Sequence, residues 1–102
     1  MSRPLPATKR DALNFERISL LFKGMSTETR LAILFCLSDG ERNVSELAEY
    51  LGMDQTAVSH QLTHMRYANL LRARRDGRNV YYRLKDESIT EILRLGEEVV
   101  AR

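Results

Sequence analysis

Apolar positions recur with a helical period in five stretches of the chain and with a two-residue period in one. Leu13, Phe15, Ile18, Leu21 and Phe22 share one side of a helix predicted over residues 9–23, with Gly24 as its stop. Ser26 or Thr27 can cap a second helix, whose stripe of Leu31, Leu34 and Phe35 is widened by Ala32, Ile33 and Cys36 and which ends at Asp39-Gly40. Asn43 followed three residues later by Glu46 predicts a capping-box start for a short third helix. Its apolar side is Val44, Leu47, Ala48 and Leu51, and Gly52 marks its end. Asp54 can cap a fourth helix in which Val58, Leu62 and Met65 stand at i, i+4 and i+7, while Gln55, Thr56, Ser59, His60 and Thr63 face the other way.

After Leu70-Leu71 the period changes. Arg72-Ala73-Arg74 and Val80-Tyr81-Tyr82-Arg83-Leu84 predict two strands around a turn at Asp76-Gly77. Alternation sends one of Tyr81 and Tyr82 into the core and leaves the other outside, without deciding which. A last helix starts near Asp86 or Glu87 and carries Ile89, Ile92, Leu93, Leu95, Val99 and Val100, more apolar surface than a peripheral helix of a small domain can bury at home. That surplus predicts contact with another chain. Residues 1–8, with Pro4 and Pro6 and no periodic pattern, read as a flexible arm, and residues 9–102 as one mainly helical domain with a small β-hairpin.

The third and fourth helices, joined across Leu51-Gly52-Met53-Asp54, make a helix-turn-helix whose second member can enter the major groove of DNA. Gln55, Thr56, Ser59 and His60 are then the base-facing candidates. Amides and hydroxyls both donate and accept at base edges, and they carry no charge that would bind every sequence alike. Directly afterwards, Arg72, Arg74, Arg75 and Arg78 surround the hairpin turn, where long cationic side chains reach phosphate or a narrow minor groove. An amphipathic surface helix alone would mean little; its combination with an arginine-tipped hairpin points to double-stranded DNA.

Composition narrows the alternatives. A chain of 102 residues, 43% hydrophobic, supports one core. The single cysteine, Cys36, excludes an intramolecular disulfide or a CxxC motif and fits a small buried hydrophobe. No apolar run approaches the roughly 18 residues of a membrane span and the N-terminus lacks a secretory pattern, so a cytoplasmic protein without membrane association is expected. The net charge of +2 conceals an asymmetry: His60 to Lys85 holds seven cations against Asp76, whereas Ser26 to Asp54 holds six acids against Arg30 and Arg42. There is no Ser/His/Asp set and no phosphate-cradling glycine loop, which argues against an enzyme. A winged-helix module that binds only proteins would have no use for four arginines around one turn beside an uncharged polar helix.

The runs STETRLAIL, SELAEYLG, QTAVSHQLTHMR and LLRARRDGRNVYYRL, in this order and spacing over residues 20–98, resemble the ArsR/SmtB family of bacterial metal- and stress-responsive transcriptional regulators. The resemblance implies a winged helix-turn-helix, α1-α2-α3-α4-β-β-α5, that dimerises through its first and last helices and binds an inverted-repeat operator. It adds Gln61 to Ser59 and His60 in the recognition helix, and matches Arg74, Asp76, Gly77 and Arg78 to the wing. It also implies an inducer, often a divalent transition metal of the zinc or nickel class.

The family's usual metal-ligand sets are missing. Where one family site has cysteines at the start of the third helix, this chain has Asn43-Val44-Ser45-Glu46-Leu47, with no thiolate. Where another has an Asp-x-His and a His-x-x-His pair on the last helix, Asp86 remains but Ser88, Val99 and Arg102 stand in the histidine places. The remaining candidates are His60 and His64, at i, i+4 on the DNA-reading helix, with Asp86, Glu97 and Glu98 as carboxylates.

Overall fold

A computed structural model describes the backbone of residues 9–102 and the side chains from residue 14 onward; the arm expected over residues 1–8 and the side chain of Leu13 lie outside the described residues. The elements run α1 (Lys9–Met25), α2 (Glu28–Cys36), β1 (Arg42–Asn43), α3 (Val44–Leu51), α4 (Gln55–Tyr67), β2 (Leu71–Asp76), β3 (Asn79–Leu84) and α5 (Ser88–Ala101). Three antiparallel strands in the order β1-β3-β2 complete a mainly helical winged helix-turn-helix.

Local chemistry sets the helix boundaries. Thr27 Oγ1 accepts the Arg30 N–H at 3.1 Å and starts α2. At α3, Asn43 Oδ1 accepts from Glu46 N–H at 2.8 Å while Glu46 Oε1 accepts from Asn43 N–H at 2.9 Å, so two of the orphan donors of that helix end are satisfied reciprocally. Gly52 then takes a left-handed conformation, φ 63°, which turns the chain between the two helices without a Cβ penalty. Asp54 Oδ2 accepts from both Thr56 and Ala57 N–H groups and starts α4.

Two boundaries and one strand differ from the sequence pattern. Gly24 is not a stop: α1 continues through it to Met25, and a Cβ there would lie 3.0 Å from Ala68 Cβ and 3.1 Å from Leu70 Cδ1. The glycine lets α1 pack closely against the end of α4. Helix α2 ends at Cys36, before Asp39-Gly40, because Ser38 Oγ donates to Leu34 O and Arg42 Nε donates to Cys36 O, satisfying carbonyls that another turn would have used. Strand β1 is only two residues long, too short to show a period, and exists because Arg42 and Asn43 pair with Tyr82 and Tyr81 of β3.

Ile33 and Leu34 of α2, Leu47 of α3, and Val58, Leu62 and Met65 of α4 are fully buried, with Leu70 between α4 and β2. Tyr82 of β3 and Ile89 of α5 close this core from the sheet and the last helix. Tyr82 is therefore the inward tyrosine. Among the described residues no polar or charged side chain is buried, so the core rests on apolar burial, worth about 1.5–3 kcal/mol for each large side chain.

Asn43→Ala removes one half of the capping box at an exposed site and should cost about 1 kcal/mol, read as a lower urea midpoint with an unchanged slope. An unchanged midpoint would show that the reciprocal cap contributes nothing to stability.

Candidate nucleic-acid interface

Helix α4 can be held by one side only, and the burial of Val58, Leu62 and Met65 decides which. Gln55, Thr56, Ser59, His60 and Thr63 are left exposed along the opposite side, where with Val44 of α3 they line a shallow open depression. None of these side chains carries a fixed charge. Thr63 belongs to this face as much as the four expected residues; its hydroxyl donates to Ser59 O at 3.0 Å. At about 100° per residue, Arg66 and the highly exposed Tyr67 continue the same side for one further turn. Gln61 stands apart from it, half-buried, with its Oε1 accepting from Arg30 Nε at 3.0 Å, and so ties α4 to α2.

The wing is the β2–β3 hairpin, in which Asp76 pairs with Asn79 across a two-residue turn of Gly77 and Arg78. Its arginines are not equivalent. Arg75 and Arg78, at the tip, are exposed and have no hydrogen-bond or ion-pair partner among the described residues. Arg72 Nη1 donates to Asn69 Oδ1 at 3.3 Å. Arg74 is the most engaged: Nη2 and Nε donate to the two carboxylate oxygens of Glu41 at 2.8 and 3.2 Å, and its guanidinium carbon lies 4.9 Å from the ring centroid of Tyr81, the outward tyrosine. Glu41, which lies between α2 and β1, is the residue that sequence reasoning passed over, counted only as one acid in an acidic stretch. The register that brings it to the wing depends on β1, so no local signal in the sequence reveals the contact.

An uncharged polar helix face beside a cationic hairpin is the arrangement that separates base reading from phosphate binding. Comparison with known proteins places that arrangement in a family. The profile of the bacterial regulatory protein arsR family matches residues 27–73, from the cap of α2 into β2. The homodimeric winged helix-turn-helix DNA-binding domain of a possible ArsR-family transcriptional regulator from Mycobacterium bovis shares this fold with a TM-score of 0.83 at 30% identity, over 96% of this chain and 91% of that one. The chain belongs to the ArsR family. The antimony-specific transcriptional repressor AntR is also similar in structure, with a TM-score of 0.80 at 34% identity over 99% of this chain and 88% of AntR. The HTH-type transcriptional regulator KmtR of Mycobacterium tuberculosis is 38% identical over 72% of this chain, which spans only 56% of KmtR.

Against that ArsR-family frame, the candidate metal ligands are dispersed. His60 and His64 stand side by side on α4, ring centroids 4.6 Å apart and edge to face. Asp86 accepts from Ser88 N–H and Oγ, and these bonds hold its carboxyl below the ordinary range; Glu98 pairs with Arg94 at 3.1 Å. Glu97 borders an apolar groove on the far side of the domain. Among the described residues no three His, Cys, Asp or Glu side chains gather as a metal site would require. Cys36 is buried, which pushes its thiol up.

That apolar groove runs between α1, α2 and α5 and is lined by Phe22, Leu31, Phe35, Ile92, Leu93 and Val100, among others. Phe22, Phe35, Val99 and Val100 are all more than half exposed, an apolar face too large for a small domain to leave in water. Among the described residues no helix is long and apolar enough to cross a membrane.

The hydrogen bonds from Arg74 hold the Glu41 carboxyl below its ordinary range. Their contact is therefore present above that range and is lost only as pH falls through the depressed value. In a carboxyl-detected NMR titration Glu41 should have a midpoint below that of an unpaired glutamate, and Arg74→Ala should bring it back to the ordinary value. Equal midpoints in the two proteins would show that the contact does not form in solution.

Proposed function

We propose that the protein is a cytoplasmic, homodimeric transcriptional regulator that binds an inverted-repeat operator, reading bases with α4 and phosphates with the wing. The observation that carries this reading is the division of labour on one surface. Gln55, Thr56, Ser59 and His60 offer uncharged donors and acceptors on a helix anchored by its other side, and the side chains of the tip arginines Arg75 and Arg78 have no partner among the described residues. Dimerisation is supported by the apolar face of α1 and α5, and the similar domain from Mycobacterium bovis is described as homodimeric. Two-fold symmetry then presents two copies of α4 to successive major grooves.

Regulation follows from the same geometry. An inducer acts by changing the spacing of the two reading helices, and any ligand seated near α1 or α5 bears on that spacing. AntR is named for a response to antimony. In this chain a zinc- or nickel-class ion would find two adjacent imidazoles, His60 and His64, on the DNA-reading face itself, and carboxylates of Asp86, Glu97 and Glu98 only elsewhere. Gln61, bonded to Arg30, contributes by fixing α4 and not by touching bases.

Two outcomes test the reading. Gln55→Ala or Ser59→Ala should cost about 1–3 kcal/mol on the operator and much less on random duplex, whereas Arg78→Ala should weaken both and flatten the log-log salt slope by about one unit per protomer. Equal losses on both duplexes in the helix variants would remove α4 from the role of reader. Val99→Glu places a charge on the apolar face at a position 65% exposed in the protomer, so folding should survive while the dimer dissociates. A dimer that persists in sedimentation at micromolar concentration would move the interface elsewhere.

A further inference from the structure

One face of the wing carries more structure than phosphate binding requires. Alternation along the paired strands puts Leu71, Ala73, Tyr82 and Leu84 on the inner side of the hairpin and Arg72, Arg74, Tyr81 and Arg83 on the outer side. Arg72 lies directly opposite Arg83, a like-charge pair that repels. Among the described residues, the carboxylate that reaches this cationic face from outside the hairpin is that of Glu41. It meets Arg74 through both oxygens, and Arg83 Nη1 stands 4.0 Å from Oε2.

The contact uses the very edge of Arg74 that DNA would need. Side-on recognition of a phosphate takes the parallel Nε and Nη2 donors, and both go to Glu41. The third nitrogen, Nη1, stands 3.8 Å from Asp76, and the guanidinium carbon lies over the Tyr81 ring. An arginine that keeps its own carboxylate adds no net cation for the DNA counterions to be exchanged against. A phosphate that approached this edge would also meet the negative charge of Glu41.

We infer that Glu41 is a positioning and specificity-determining residue: it withholds Arg74 from DNA and leaves phosphate binding by the wing to the tip arginines. The inference rests on the DNA-binding reading above and refines it. Arg74 becomes a strut that joins the wing to the segment before β1. The useful consequence is restraint, because a wing with every cation free would bind all sequences more tightly and dilute what α4 reads.

The test is fluorescence anisotropy on random duplex from 50 to 200 mM salt, with wild type, Glu41→Gln, Arg74→Ala, Arg78→Ala and the Glu41→Gln/Arg74→Ala double variant. Arg74→Ala by itself also uncovers the Glu41 carboxylate beside Arg83, so the double variant is the clean removal of Arg74. Glu41→Gln should tighten binding at 50 mM and steepen the slope by about one unit per protomer, so that a dimer loses about 16-fold more affinity than wild type across the range. The double variant should return to the wild-type slope. If the double variant has a slope flatter than wild type, as Arg78→Ala does, phosphate displaces Glu41 from Arg74 and the inference fails while DNA binding stands. An unchanged slope in Glu41→Gln also overturns it. Wild-type protein with no salt-dependent affinity for DNA overturns both readings.

Discussion

Everything that the surface of this domain can do depends on how α4 is held. Val58, Leu62 and Met65 are fully buried in one core cluster with Leu34 and Leu47 of the preceding helices and Leu70 of the following turn. A helix gripped along one stripe cannot rotate without pulling those side chains into water, at about 1.5–3 kcal/mol each. The orientation of Gln55, Thr56, Ser59 and His60 toward solvent is thus a by-product of apolar burial on the other side. The caps at Asn43, Gly52 and Asp54 add the second constraint, fixing where the helix starts relative to α3. A reading face needs both, since base-edge hydrogen bonds tolerate little error in position.

Charge is distributed with the same economy. The acidic stretch before α4 and the basic stretch after it are not simply opposed along the chain, because Glu41 crosses from one to the other and meets Arg74 and Arg83 on the wing. Exposed ion pairs of this kind contribute little to folding stability. The value of this one lies in what it removes from the surface: it offsets the charge of Arg74 in the middle of the hairpin, whereas the side chains of Arg75 and Arg78 have no counter-ion among the described residues.

Much of this was legible in the sequence for identifiable reasons. The capping box of Asn43 and Glu46, the Asp54 cap and the i, i+4, i+7 stripe of α4 are local signals, and local signals survive into the fold unchanged. What was not legible is non-local. Strand β1 owes its existence to the edge of β3, and the glycine at residue 24 serves a close approach to Ala68, 44 residues further along the chain by their numbers. Tyr81 and Tyr82 differ only in the face that β3 turns toward the core. Gln61 has the side-chain chemistry of a base-reading residue and lies in α4, yet its angular position sends it to Arg30. Arginines at 72, 74, 75 and 78 look alike in a string of letters, and only the partners brought by the fold separate the strut from the free cations.

The role proposed for a two-fold pair of α4 helices is to read DNA sequence. Selection of bound duplexes from a randomised pool by the intact protein tests it most directly. The selection should enrich an inverted repeat whose half-site centres lie about 10–10.5 base pairs apart or at a multiple of that spacing, the distance between successive major grooves on one side of the duplex. A pool that remains random through the selection, or converges on a single half-site with no symmetric partner, would contradict it.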